Sequence, residues 1–385
     1  MACRRIWHPE KTHLQRGAKM PVESRAAIMF SPREPLRVET VTVADPGPRD
    51  VLIRLDAASL CHSDLGYIDA KFPHPVPAIL GHEGIGTVVR KGADVRVVDE
   101  GDVVIPYLLP DCGECPYCLS GRTNFCVQLG RSYAPGFPTW FSYQGTPVHG
   151  MLSLGTFSEY LVVPQDQVQK VNPAAPRGQA SCIGCGVTTG VGAALITAKV
   201  EAGSSVVVFG LGGVGLSVVQ GARIAGATTI VAVDLNADKE SAARAMGATH
   251  FIHAAETDPV AAVHRLTGIG ADYAFECVGS AKAFEQGLAC LSAGGWAKMV
   301  SVGLIPDEVP IPGNWTNFVG KIWQQSLMGG ARRKDVAGFV DWFMDGKLDL
   351  SAMVSHEITL DDINHGFDLM RQGKSNRAVI RYSDW

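Results

Sequence analysis

The sequence predicts two architectures in one chain: a β-rich body in its first half and a doubly wound, six-stranded α/β sheet in its second. Three observations carry this. From residue 25 onward, short stretches alternate apolar and polar residues, with Pro and Gly between them. From Ser204 the pattern changes to strands and helices in turn. At that change a glycine-rich turn stands between an apolar strand and a helix. The bulk properties agree. The 385 residues suit two domains rather than one, and 46% apolar with 19% charged content is ordinary globular composition. A net charge of −4 draws the chain neither to nucleic acid nor to an anionic membrane. No run of about 18 apolar residues is present, so no spanning helix is expected.

The first residues stand apart. Arg4, Arg5, Lys11, Arg16 and Lys19 against Glu10 give residues 1–20 a net of +4, so the rest carries −8. This stretch has no apolar segment and is not a secretory signal. His8, Pro9 and Gly17 weaken an amphipathic targeting helix. The reading is a flexible extension over 1–24, with Met20 a candidate start.

In the β-rich body Val38–Val43 and Val51–Leu55 alternate as strands do, and Asp45-Pro46-Gly47-Pro48 between them is a turn. Ile85–Val89 and Val103–Ile105 continue the pattern. Segments 61–68 and 81–84 are then loops able to present side chains into a cleft. They contain Cys61-His62-Ser63-Asp64 and Gly81-His82-Glu83-Gly84. Gly184-Cys185-Gly186 adds a third candidate ligand. A catalytic zinc takes three protein ligands and keeps one position open, and Cys2His is one recorded set. Singly the signals are weak: a buried Cys is more often an inert small hydrophobe, and a His is usually just hydrogen-bonded. Cys182-x2-Cys185 has a redox-pair spacing but no thioredoxin-like βαβ surroundings.

Ten Cys with no export signal point to reduced thiols and a cytoplasmic location. Four of them cluster as Cys112-x2-Cys115-x2-Cys118-x7-Cys126. One loop can wrap four such thiolates around a tetrahedral ion, and Zn²⁺ suits them. An iron–sulfur cluster also uses close cysteines, but its spacings differ, and disulfides remain as the other alternative. Four thiolates leave no open position, so this site is structural.

In the second half Ser205–Phe209 is a continuous apolar run, as in a strand covered on both faces. It enters Gly210-Leu211-Gly212-Gly213-Val214-Gly215, which is followed by a helix over Leu216–Ala225 and a strand over Thr229–Val233 ending at Asp234. These glycines permit a tight turn, close approach to a pyrophosphate and close helix–strand packing. The helix N-terminus offers unpaired N–H groups to the phosphates, and an acid at the second strand's end binds ribose hydroxyls. This is a Rossmann site. Further units follow: helix near Asp238–Met246, strand His250–His253, helix Pro259–Leu266, strand Ala271–Phe275, helix Ala281–Leu291 and strand Ala297–Val302. A segment near Ser326–Met328 would be the sixth strand. No Arg follows Asp234, and its carboxylate would repel a 2′-phosphate, so NAD is favoured over NADP.

Taken together, the two loop motifs, the four-Cys lobe, Gly184-Cys185-Gly186, the glycine turn and Gly373–Arg377 resemble the zinc-dependent alcohol dehydrogenases of the medium-chain dehydrogenase/reductase superfamily. The resemblance spans about residues 25–385. It implies a GroES-like catalytic domain, 25–186 and 328–385, around a Rossmann domain at 187–327. It also implies two Zn²⁺ per chain. Cys61, His82 and Cys185 would hold the catalytic one, with Glu83 beside it either as an occasional ligand or as a partner for a basic residue. Cys112, Cys115, Cys118 and Cys126 would hold the structural one. Ser63 resembles the hydroxyl that takes the substrate proton. His62 and Arg377 would meet the cofactor pyrophosphate, Lys239 the adenosine ribose, and Thr189 and Val302 the nicotinamide. Where many members carry a His that ends the proton relay, this chain has Gly66. The implied reaction is reversible oxidation of a primary alcohol to an aldehyde with NAD⁺, in a homodimer or homotetramer. Tyr107, Leu108, Phe72 and the 137–143 aromatics suggest a bulky apolar or aromatic alcohol. A thiol-adduct formaldehyde dehydrogenase is the near alternative, opposed by Phe72-Pro73 where a charged pocket mouth is wanted. A zinc-free quinone reductase and a non-catalytic NAD-binding protein are the others.

Overall fold

The computed structural model describes residues 21–305 and 315–383. Most of the extension read from residues 1–24 lies outside these. Its end does not: the first strand begins at Val22, where Val22 to Ile28 already pair with Arg37–Val43.

Three sheets organise the chain. The first is a small closed barrel that includes Val22–Met29, Arg37–Val43 and Phe141–Tyr143. The second is a seven-stranded sheet centred on Asp50–Ser59, which pairs on one edge with Glu83–Lys91 and on the other with both Tyr160–Pro164 and Arg377–Arg381. The last of these brings the C-terminal segment into the N-terminal body: Val379 lies opposite Ser59. That pairing delivers Arg377, near the chain's end, to the motif that follows Ser59.

The third sheet is parallel throughout and holds the six strands of the α/β half. Its order is His250–His253, Thr229–Asp234, Ser205–Phe209, Tyr273–Glu276, Ala297–Ser301, Lys321–Gln325. Counted along the chain this is 3-2-1-4-5-6, the doubly wound dinucleotide-binding order. The strand order reverses beside Ser205–Phe209, and there the crevice for a nucleotide opens. Val206, Val207 and Val208 are fully buried, as a strand with helices on both faces requires.

The sixth strand is Lys321–Gln325, not the segment near Ser326–Met328, which continues into a short 3₁₀ turn at Met328–Gly330. Lys-Ile-Trp-Gln-Gln is an edge strand with four exposed residues and lacks the apolar run of a central one. Segment 61–68 is also not a loop. His62–Ile68 forms a short helix, started by the Asp64 carboxylate accepting the Cys61 N–H at 3.0 Å. In 81–84 only the first half is loop, because Glu83 already opens a strand.

Candidate active site

Cys61, His82, Glu83 and Cys185 bring their ligand atoms within 4.8 Å of one another. They arrive on three elements. Cys61 precedes the short helix, His82 precedes the strand Glu83–Lys91, and Cys185 starts the helix Gly186–Gly192. Gly81 makes the approach possible. Its φ of +92° favours glycine, and a Cβ there would strike Phe157 and Thr156.

The support around these ligands is buried and directional. Asp64, fully buried, accepts from His82 Nδ1 at 3.0 Å, from the Gly81 N–H at 3.1 Å and from the Cys61 N–H. This fixes the imidazole tautomer and leaves Nε2 free to ligate, the second-sphere arrangement that metal-bound histidines need. Asp64 stood inside the quoted motif, but the sequence assigned it no role. The Cys61 thiol is held below its ordinary pKa, first by the Cys185 thiol and then by Arg377. Two thiols and an imidazole in a buried pocket, with one further position, fit a catalytic Zn²⁺.

Glu83 is satisfied by protein donors. Arg377 reaches it through Nε and Nη2, both at 3.1 Å, the Gly186 N–H at 3.2 Å, and Ser59 Oγ directly. Burial pushes its carboxyl up to about 7 against the pull of Arg377. The geometry thus gives Glu83 the ion-pair role. Ser59 had no sequence signal, because it lies inside a strand whose apolar neighbours read only as core.

Arg377 is 2% exposed. Besides Glu83 it lies 3.6 Å from Cys61 Sγ, and its Nη1 lies 3.0 Å from where a Gly213 Cβ would be. One guanidinium therefore touches the metal-ligand set and the glycine turn. Gly210 has φ +86°, and a Cβ on Gly215 would overlap the Gly210 carbonyl, so both glycines are required by the turn. Helix Gly213–Ala225 begins there, with Gly212 and Val214 in the same turn. Asp234 braces it, accepting the Leu211 N–H at 2.7 Å and the Asn236 N–H at 2.9 Å. Lys239 Nζ donates to Asn376 Oδ1 across the cleft.

Ser63 Oγ lies 3.7 Å from Cys61 Sγ, and His62 is exposed beside it. Thr189 is buried in the helix that Cys185 starts. Val302 is half-buried just past the strand Ala297–Ser301, its N–H bonded to the Glu276 carbonyl at 2.8 Å. The aromatics divide. Tyr107 is buried and donates its hydroxyl to the Ala331 carbonyl at 3.2 Å, and Phe141 is buried in the barrel, so both are core residues. Phe72 covers Gly66, whose Cβ would come within 2.8 Å of the ring.

Cys112, Cys115, Cys118 and Cys126 also gather within 4.8 Å. Cys115 caps helix Pro116–Leu119, with Pro in its first turn, and its sulfur accepts the Cys118 N–H at 3.4 Å. Cys126 Sγ accepts the Gln128 N–H at 3.5 Å. Four sulfurs with backbone donors fit a closed tetrahedral Zn²⁺.

Comparison with known proteins decides the family. A profile of the alcohol dehydrogenase GroES-like domain matches residues 47–173, and one of zinc-binding dehydrogenases matches 213–345. An S-(hydroxymethyl)glutathione dehydrogenase of Paracoccus denitrificans is 42% identical over 378 residues, covering 94% of this chain and all of the relative. The chain belongs to the zinc-dependent alcohol dehydrogenases of the medium-chain superfamily. Solved structures agree with this dehydrogenase. An alcohol dehydrogenase zinc-binding domain protein from Burkholderia ambifaria superposes with a TM-score of 0.90 at 31% identity, over 95% of this chain and all of that one. Benzyl alcohol dehydrogenase from Acinetobacter calcoaceticus gives 0.87 at 28% identity, over 94% and 100%. As a member of this family the dehydrogenase is an NAD-dependent oxidoreductase that uses zinc.

Proposed function

We propose that the dehydrogenase oxidises the carbinol of an S-hydroxymethyl thiol adduct, with NAD⁺ as hydride acceptor. The observation that carries the chemistry is the buried Cys61–His82–Cys185 set with Ser63 beside it and Arg377 joining it to the glycine turn. The carrier thiol is supported by the Paracoccus relative, whose name specifies such an adduct of glutathione. This favours the thiol adduct over the bulky alcohol that the aromatic residues suggested. Aromatic alcohols remain the second reading, because Phe72 packs edge to face on Tyr67 of the helix His62–Ile68 and Trp140 edge to face on Phe137.

Cys61, His82 and Cys185 would hold the zinc, which would supply Lewis acidity toward the carbinol oxygen. Ser63 accepts the carbinol proton. Gly66 has no side chain to relay it further, and the Phe72 ring covers that side. The proton therefore leaves toward the cofactor cleft, where His62 is exposed. The glycine turn and the first N–H groups of helix Gly213–Ala225 hold the pyrophosphate, with Arg377 behind them. Asp234 selects NAD over NADP by charge. Thr189 and Val302 would border the nicotinamide, which would supply the hydride acceptor for the substrate carbon.

Residues 25–186 and 328–385 act in this reading as one catalytic domain around a cofactor domain at 187–327. A second copy would pair along the edge strand Lys321–Gln325, where Ile322, Trp323 and nearby Trp315 are exposed, giving a dimer or tetramer. Every described cysteine is a free thiol, which suits a cytoplasmic location.

The test is NADH formation from formaldehyde with glutathione, from formaldehyde alone, and from benzyl alcohol. Turnover that requires the thiol supports the adduct reading. Turnover with benzyl alcohol and none with the adduct overturns it in favour of the second.

A further inference from the structure

The turn after the sixth strand is strained in a way the sheet does not require. Met328, Gly329 and Gly330 have φ of +50°, +66° and +72°, three successive left-handed residues. Met328 carries a Cβ, and a non-glycine residue in that region is held there by its surroundings. Three contacts hold this one. Gly329 presses on the Thr188 and Thr189 carbonyls and on Gly192 Cα, each within 2.6–2.7 Å of where a Cβ would be. Thr189 Oγ1 donates to Met328 Sδ at 3.4 Å. The third contact comes from elsewhere: Asn124 Nδ2 donates to the Leu327 carbonyl at 3.0 Å, across 203 residues of sequence.

Asn124 belongs to the four-cysteine lobe, in the short 3₁₀ helix Thr123–Phe125 just before Cys126. It is 5% exposed, so its amide has no ready exchange with water. The turn it grips packs on Thr189, and the Thr189 N–H is bonded at 2.8 Å to the carbonyl of Cys185, a ligand of the other set. A single buried amide thus connects the closed lobe to the wall of the open site.

We infer that Asn124 is a positioning residue for the nicotinamide end of the cofactor, acting through the Leu327–Gly330 turn on Thr189. The lobe then does more than stabilise the fold, because it sets the wall against which the nicotinamide lies. The inference rests on the reading that Thr189 borders the nicotinamide.

The experiment compares two ligands on the full zinc-loaded protein: NADH, and ADP-ribose, which lacks the nicotinamide. Dissociation constants are measured by titration, with zinc content determined on the same samples. In the unmodified protein NADH binds more tightly than ADP-ribose; equal binding would refute the placement of Thr189 before any variant is made. In Asn124→Ala, NADH binding weakens by about five-fold, within the range by which a residue acting through others changes a site's affinity. ADP-ribose binding and the zinc content do not change. Equal weakening of both ligands, or no change in either, overturns the inference. Asn124→Asp keeps the shape, removes the donor and is expected to give the same split, and it decides the matter if Asn124→Ala does not fold. Failure of both variants to fold would make Asn124 a stability residue alone and also overturn the inference.

Discussion

The four-cysteine lobe takes all its ligands from one short stretch, Cys112–Cys126, whereas the buried set collects Cys61, His82 and Cys185 from three separate elements. The lobe sits near the surface, with Cys112 and Cys118 partly exposed and its sulfurs braced by nearby backbone N–H groups. The buried set is enclosed by groups from several elements: the Asp64 carboxylate on His82, and the Arg377 and Ser59 side chains with the Gly186 backbone N–H on Glu83. A closed site needs only a loop of the right spacing. An open site needs rigid walls, because a position left for substrate must keep its shape without a fourth protein ligand.

The largest effect should come from the wall of the open site. Arg377→Leu leaves the Glu83 carboxylate buried without its cation. Breaking such a pair costs about 3–5 kcal/mol, or a melting temperature lower by roughly 10 °C. Thermal melting measures this, and adding Glu83→Gln should recover part of the loss. An unchanged melting temperature would mean that the pair contributes nothing. In the lobe, Cys115→Ser should lower the melting temperature and cost one zinc per chain, since a structural zinc contributes folding energy directly. Protein that remains folded should keep its buried-set zinc and still turn over, and metal analysis with kinetics on the soluble fraction separates the two effects.

That contrast also explains what was legible in the sequence. The lobe and the glycine turn are local patterns, and their spacing alone announces them. The parallel sheet was readable strand by strand where the strands are central and apolar, as at Val206–Phe209. Its sixth strand was misplaced because Lys321–Gln325 lies at the edge, exposes Ile322 and Trp323 along with Gln324 and Gln325, and so shows neither an apolar run nor an alternation. The helix His62–Ile68 is too short to display a period, and it is set by one bond from the Cys61 N–H to Asp64. The role of Glu83 was the least legible. Arg377 is 294 residues away, and only the pairing of Arg377–Arg381 with Asp50–Ser59 brings it near.

Two smaller effects sharpen the comparison. Asp64→Asn weakens the orientation of His82, and such outer partners typically matter by about 10–100-fold in metal affinity or activity. A chelator titration should remove one zinc more easily and leave the lobe zinc as tightly held as before. Equal loss from both sites would contradict the distinction. Gly66→Ala should be smallest. The new methyl pushes the Phe72 ring edge aside, while the helix gains about 0.5–1 kcal/mol from losing a glycine. Stability should therefore hardly change, and KM for the carbinol should shift by roughly two- to five-fold while KM for NAD⁺ stays constant.

The central claim is that the buried set performs the oxidation while the lobe supplies no group to the reacting centre. His82→Ala tests it most directly, with zinc content, melting temperature and NADH formation measured on one preparation. The account predicts a folded protein with one zinc per chain and turnover reduced by about 10³-fold, the scale of a lost Lewis acid. Turnover close to that of the unmodified protein, from folded protein holding a single zinc, would contradict it.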